Sequence, residues 1–212
     1  MNDLYRNQSI FIEIYPNKVY KWILINFNVP LTFFFISKYN VKIFKPKIDT
    51  RYEEGNIVWS WNTFEHLNWL EDYDLLGDLW LEAYQMGRHD WTHSNALWFD
   101  QEESAIYLSS RHLSRITKID YPSGNVVWNM GLDMPSGNVH CGHDIKFSWQ
   151  HSLTVNEIGN VSNITFLDNG NLSQVLLNSL NPTSRGLEIS VTDNGSFANP
   201  SCETSIIWQY EL

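Results

Sequence analysis

Seven histidines are the residues of this 212-residue chain best suited to chemistry near neutral pH. Imidazole changes charge in that range and serves as proton carrier, nucleophile or metal ligand. His140-Cys141-Gly142-His143 is a loop-like run with Asp144 adjacent, so it is a candidate ligand set for zinc or another divalent metal. The same run offers a second chemistry, in which Asp144 orients the His143 imidazole as the third member of a triad does. His89 and His93, with Asp90 between them, are four apart. On a strand they would share a face about 13 Å apart, too far for one ion. His151 follows Trp149-Gln150 and reads, from its neighbours alone, as a polar residue at a strand start. His66 and His112 read as loop or surface residues. The expectation is therefore a site without a metal or other cofactor.

The elements that must hold these residues are strands. Aromatic residues make up 15% of the chain, with 10 Trp, 10 Tyr and 11 Phe, and large flat side chains favour sheet packing. Three segments repeat one pattern, two β-branched residues followed by Trp: Ile57-Val58-Trp59, Val126-Val127-Trp128 and Ile206-Ile207-Trp208. Their Trp residues lie 69 and 80 positions apart, a spacing that fits β-propeller blades with insertions. Between the first two repeats, and again between the last two, the chain parses into strands broken by turn residues. Ala96–Phe99, Ala105–Ser109, Arg115–Asp120 and Asn125–Met130 form one set, with Tyr121-Pro122-Ser123-Gly124 as its last turn. His151–Val155, Asn163–Leu167, Gly186–Val191 and Ser205–Tyr210 form the next, with turns at Asp168–Gly170 and Asp193–Gly195. Leu75, Leu76, Leu79 and Ala83 predict a helix near 72–86. The expected fold is all-β, an incomplete β-propeller of about two full four-stranded antiparallel blades plus remnants. Such a fold leaves open edges for self-association.

Charge separates the first fifty residues from the rest. The whole chain has 14 Lys and Arg against 24 Asp and Glu, a net of −10, which argues against nucleic acid as a partner. Residues 1–50 hold seven basic and three acidic side chains, whereas 51–212 carry −14. The domain expectation is a divergent segment 1–50, read as two or three strands, followed by a partial propeller 51–212. Lys21, Asn26, Asn28 and Pro30 interrupt the apolar stretch 20–36, so neither a spanning helix nor a signal peptide is read there. Cys141 and Cys202 suffice for one bridge.

From about Gly55 to Leu212 the chain resembles the arylsulfotransferase family. The resemblance is carried by Asp90-Trp91-Thr92-His93-Ser94-Asn95, Ser109-Ser110-Arg111-His112, Thr117-Lys118-Ile119-Asp120, Ser148-Trp149-Gln150-His151, Leu167-Asp168-Asn169-Gly170 and Ser184-Arg185. It implies a six-bladed propeller that moves a sulfuryl group from an aryl sulfate donor to a phenolic acceptor through a sulfohistidine, without a nucleotide donor. It also implies roles: His151 as covalent nucleophile, Arg111 as the sulfate-contacting guanidinium, His93 as proton shuttle and Asn95 as hydrogen-bond donor to a sulfate oxygen. The alternation of a strand would put His93 and Asn95 on one side. No position here matches the further histidine that the family draws from an earlier blade. Asp168 and Asn169 read as turn formers, and Arg185 as half of an ion pair between blades. Export or membrane attachment is implied by the resemblance only. The alternative is a non-catalytic propeller fragment that binds a protein or carbohydrate.

Overall fold

A computed structural model describes residues 11–14, 21–26, 42–43, 47–51, 57–67, 88–89, 92–158, 161–196 and 198–212. The helix read near 72–86 lies outside these. The chain divides into two compact units, residues 1–67 with 78–91, and residues 68–77 with 92–212.

In the first unit, β1 (Phe11–Ile14), β2 (Lys21–Asn26), β4 (Lys47–Arg51) and β5 (Ile57–Asn62) form a four-stranded antiparallel sheet in the order β1-β2-β4-β5. Two short strands, β3 (Lys42–Ile43) and β6 (Arg88–His89), pair in parallel. One helical turn, α1 (Thr63–His66), follows β5, and the His66 ring stacks on buried Trp61 at 4.8 Å. The remnants expected before Arg51 thus contribute three strands to a sheet that the first Trp segment completes.

The second unit holds two more sheets. β7 (Ser94–Asp100), β8 (Ala105–Ser110), β9 (Arg115–Asp120) and β10 (Val126–Gly131) form one antiparallel meander. β11 (His151–Ile158), β12 (Val161–Asp168), β13 (Arg185–Asp193) and β14 (Cys202–Glu211) form the other, with the short α2 (Ser173–Leu176) between β12 and β13. These are the strands that the turn residues predicted. Among the described residues no helix is long and apolar enough to cross a membrane.

The three Trp segments occupy one structural place. Each is the fourth strand of its sheet, and in each the register slips at the residue before Trp. Val58, Val127 and Ile207 are the extra residues. The recurring sequence is therefore a recurring β-bulge, a feature that bends an outer strand and re-aims its side chains. Trp128 shows what that accomplishes: fully buried, it lies edge-on to Tyr107, and its indole N–H donates to Asp193 of the neighbouring sheet.

The two sheets of the second unit share one core, with Tyr107, Ile116, Trp128 and Met130 from the first packed with Phe147, Phe166, Leu187 and Ile189. Polar links cross the same boundary. Tyr107 Oη and Ser162 Oγ are 2.9 Å apart, and Lys118 Nζ reaches Glu103 and Asp193, each at 2.7 Å. A disulfide joins Cys141 to Cys202 across 61 residues of sequence, which stabilises the fold by roughly 4 kcal/mol through the unfolded chain. Cys141 consequently has no thiolate to offer a metal.

Arg185 departs from its expected place. Its Nη2 meets Asp168 Oδ2 at 2.8 Å, but the two residues are direct partners of β12 and β13, so the ion pair lies within one sheet rather than between two. The guanidinium also donates to the carbonyls of Ile145 and Lys146. Asp168 keeps its turn-forming part through Oδ1, which accepts from the backbone N–H groups of Ser148 and Gly170. Gly170 itself has φ +64°, and a Cβ there would strike the Thr183 carbonyl.

Burial alone would lower the Lys118 pKa, but hydrogen bonds and charges from Asp193 and Glu103 outweigh it and raise the pKa above the ordinary 10.5. The link therefore contributes fully below pH 10.5, where an unfolded lysine is protonated, and is lost as pH rises through the higher folded value. Urea unfolding from pH 8 to about 12 checks this: wild type loses stability above pH 10.5, and Lys118→Met, less stable at pH 8, lacks that alkaline component.

Candidate active site

Two first strands, β7 and β11, pack side by side and bring their N-terminal ends together. The His93, Asn95 and His151 positions lie at those ends. Strand alternation is not what arranges them. β7 begins only at Ser94, His93 has φ +45°, and the register between β7 and β8 slips across Asn95. His151 opens β11, whose register slips again between His151 and Thr154. Bulges of this kind re-aim side chains beside functional sites.

Arg111 stands in the turn between β8 and β9. Its backbone N–H donates to His93 O at 3.2 Å, and the next N–H, of His112, donates to Thr92 O at 3.0 Å, so the β7–β8 ladder runs on past its last regular pair. His93 and Arg111 are thereby neighbours across the ladder. The Arg111 guanidinium lies 4.1 Å from the centre of the Trp149 ring, a cation–π contact that holds the head group.

His112 is a correction: it is a buried residue of the site, 3% exposed, rather than a surface one. Its ring lies 4.7 Å from that of His93 and 5.3 Å from that of Trp149. Its Nε2 is 2.9 Å from Arg111 Nη1. A guanidinium only donates, so His112 accepts there and is neutral with its proton on Nδ1. Nothing in the polar neighbours of His112 announces this burial; its place beside Arg111 was the available signal.

His151 is part-buried, and its Nε2 is enclosed with no hydrogen-bond partner among the described residues. Its pKa is lowered, first by burial, then by the positive charges of Arg111 and His93. The structure thus brings His93, Arg111 and His151 into one electrostatic neighbourhood. Arg111 is the fixed cation among them, a local positive charge in a chain of net charge −10, which suits an oxyanion.

Asn95 links the two sheets. Its Nδ2 donates to the main-chain carbonyl of Gln150 at 2.8 Å, and its Oδ1 accepts from Ser109 Oγ at 2.9 Å. Gln150, fully buried, sends Nε2 to Ser109 Oγ at 3.0 Å and to the carbonyl of Arg115 at 2.9 Å. Ser109 and Gln150 are the residues that the sequence reading passed over, since neither type announces chemistry.

The rival imidazole is elsewhere. His143 is exposed and its Nδ1 meets Asp133, at 2.8 Å, while Asp144 accepts from Thr204. The triad-like pairing of His143 with Asp144 is therefore replaced by a different carboxylate. His140 accepts the Asn129 N–H on Nδ1, and its pKa is lowered by burial, then by Arg115 and His143. No cluster of three or more metal-binding side chains occurs among the described residues. The side chain of His89 lies outside them.

The family model described as Arylsulfotransferase (ASST) matches residues 47–194, more than half of the chain, and the chain belongs to that family. No curated protein matches the chain in a direct sequence comparison. The family supports aryl sulfotransferase chemistry at the general level, with an aryl sulfate donor and a phenolic acceptor.

The lowered pKa of His151 sets a measurable order. Its imidazole titrates by nuclear magnetic resonance with a midpoint below the ordinary 6.5, and Arg111→Ala, which removes a neighbouring positive charge, moves that midpoint upward. A midpoint unmoved by the substitution would separate the two groups.

Proposed function

We propose that the chain transfers a sulfuryl group from an aryl sulfate ester to a phenol, with His151 as covalent nucleophile, and that its four-stranded sheets are propeller blades. The observation that supports this best is the shared electrostatic neighbourhood of His151, Arg111 and His93. A depressed pKa keeps the His151 imidazole neutral, and hence nucleophilic, at neutral pH.

In the first step a ring nitrogen of His151 forms a bond to sulfur as the sulfur–aryl oxygen bond breaks. The departing phenolate takes a proton from His93. In the second step the acceptor phenol gives its proton back to His93, its oxygen bonds to sulfur, and the sulfur–nitrogen bond breaks. Sulfuryl transfer, like phosphoryl transfer, spreads charge over equatorial oxygens, so a fixed fork of donors contributes more than further covalent help. Arg111, held flat on Trp149 and pinned by neutral His112, is such a fork. Asn95 has one Nδ2 hydrogen beyond its bond to Gln150, and that hydrogen is the donor to a sulfate oxygen. No nucleotide donor and no cofactor enters the scheme.

Incubation with 4-nitrophenyl sulfate and phenol tests it. Nitrophenol is released and the His151 peptide carries a sulfuryl mass. His151→Ala lowers release by more than about a thousandfold, Arg111→Ala by about a hundredfold, and His143→Ala leaves it within about twofold. Release that survives His151→Ala but not His143→Ala would transfer the nucleophile's part to His143.

A second property rests on β14. Ile206, Ile207, Trp208 and Tyr210 are exposed along it, and Trp208 is 50% exposed where its counterpart Trp128 is fully buried. Such an edge supports self-association, or a binding surface for a protein or carbohydrate. Sedimentation shows a mass above one chain that Trp208→Arg lowers to one; a single-chain mass for wild type would remove self-association.

A further inference from the structure

Gln150 is a buried amide whose bonds run to both stems of the Arg111 turn. Nε2 donates to Ser109 Oγ at 3.0 Å, to Arg115 O at 2.9 Å and, more weakly, to Ser110 O at 3.4 Å. Ser110 immediately precedes Arg111, and Arg115 closes the turn that begins there. Two carbonyl acceptors leave no choice over which end of the amide faces them, and Oε1 stays buried without a partner among the described residues. Buried polar atoms are almost always paired, so an acceptor kept in that state marks a side chain retained for its other bonds.

The main chain of Gln150 is held as firmly. Its carbonyl accepts from Asn95 Nδ2 at 2.8 Å, and Asn95 in turn accepts from the Ser109 hydroxyl that receives Gln150 Nε2. That ring of bonds fixes the peptide plane shared by Gln150 and His151, and with it the direction of the His151 Cα–Cβ bond. The backbone on either side is strained. Trp149 has φ +56° and Ser152 φ +57°, left-handed conformations that bulky or branched residues rarely adopt. Strain of this kind persists only where neighbouring bonds over-determine it; here the bonds of Gln150 act together with the Trp149 N–H, which donates to Ser114 Oγ at 3.3 Å.

Resting on the sulfuryl-transfer reading above, we infer that Gln150 is a positioning residue that sets the distance between the His151 imidazole and the Arg111 guanidinium, through Ser109 and Asn95. It touches neither donor nor acceptor. Attack on sulfur needs both groups on one substrate at once, and a shift of about 1 Å between them costs on the order of a hundredfold in rate.

The test compares wild type with Gln150→Met, of similar size but without the polar ends, and with Ser109→Ala and Ser109→Thr. Two readouts are taken on the full chain: kcat and KM with 4-nitrophenyl sulfate and phenol, and the imidazole ¹⁵N signals of His151. Gln150→Met lowers kcat by about a hundredfold with KM within about threefold, and turns a single fixed imidazole signal into an averaged one. Ser109→Ala does the same to a smaller extent, Ser109→Thr restores it, and the double variant is no worse than Gln150→Met alone. A folded Gln150→Met with unchanged kcat and an unchanged His151 signal overturns the inference, as does a loss confined to KM. If Gln150→Met does not fold, the Ser109 pair decides by the same readouts. Wild type inactive in the assay would sink the transferase reading alone, because the ¹⁵N comparison still decides whether Gln150 holds the ring.

Discussion

The second unit depends on one constraint, that a hairpin turn in one sheet and the first residue of the next sheet be held at a fixed separation. Gln150 meets it with side-chain bonds to Ser109, Ser110 and Arg115 and a main-chain bond from Asn95. Hydrophobic packing alone would not supply this. A core of Leu, Ile and Phe side chains sets a spacing between sheets but tolerates sliding, whereas directed bonds to two carbonyls and a hydroxyl do not. Register slips at Asn95 and after His151 place the same residues off the regular ladder, where a side chain can point somewhere a strand would not send it.

Charge is distributed to match. The boundary between the two sheets away from the site uses Lys118 enclosed by Glu103 and Asp193, a cation surrounded by anions. The site inverts that pattern, setting Arg111 and His93 near His151 and stacking Arg111 on the face of Trp149. Neutral His112 resolves what would otherwise be a conflict, for it lends Arg111 an acceptor without adding charge. The chain has a net negative charge, yet the imidazoles gathered around the Arg111 guanidinium give this site a polarity that suits an anion.

Much of the fold was legible because its signals are local. Turn residues at Asp100–Glu103, Tyr121–Gly124 and Asp168–Gly170 bound strands whose alternation is visible in the residues themselves, and β7 to β14 follow them. The Trp repeat was legible as a repeat; that it encodes a bulge was not, since a register slip is a property of two strands and only one is in the motif. The first sheet was hard to see because Tyr20–Ile36 carries apolar residues without regular alternation. At the site, His151, His93 and Arg111 came from a resemblance, and their spacing along the chain did not disclose their neighbourhood. His112 and Gln150 escaped for a related reason. Burial of a polar side chain is decided by partners distant in the sequence, as with Gln150 and Arg115 or His112 and Trp149, and no local pattern reports it.

The account stands or falls on whether one sulfur atom can engage His151 and Arg111 together. The most direct measurement is an experimental structure of crystals soaked in 4-nitrophenyl sulfate without an acceptor. The account predicts density for a sulfuryl group bonded to a ring nitrogen of His151, with its oxygens turned toward the Arg111 guanidinium. A sulfuryl group on His143, or an intact ester bound far from Arg111, would contradict it.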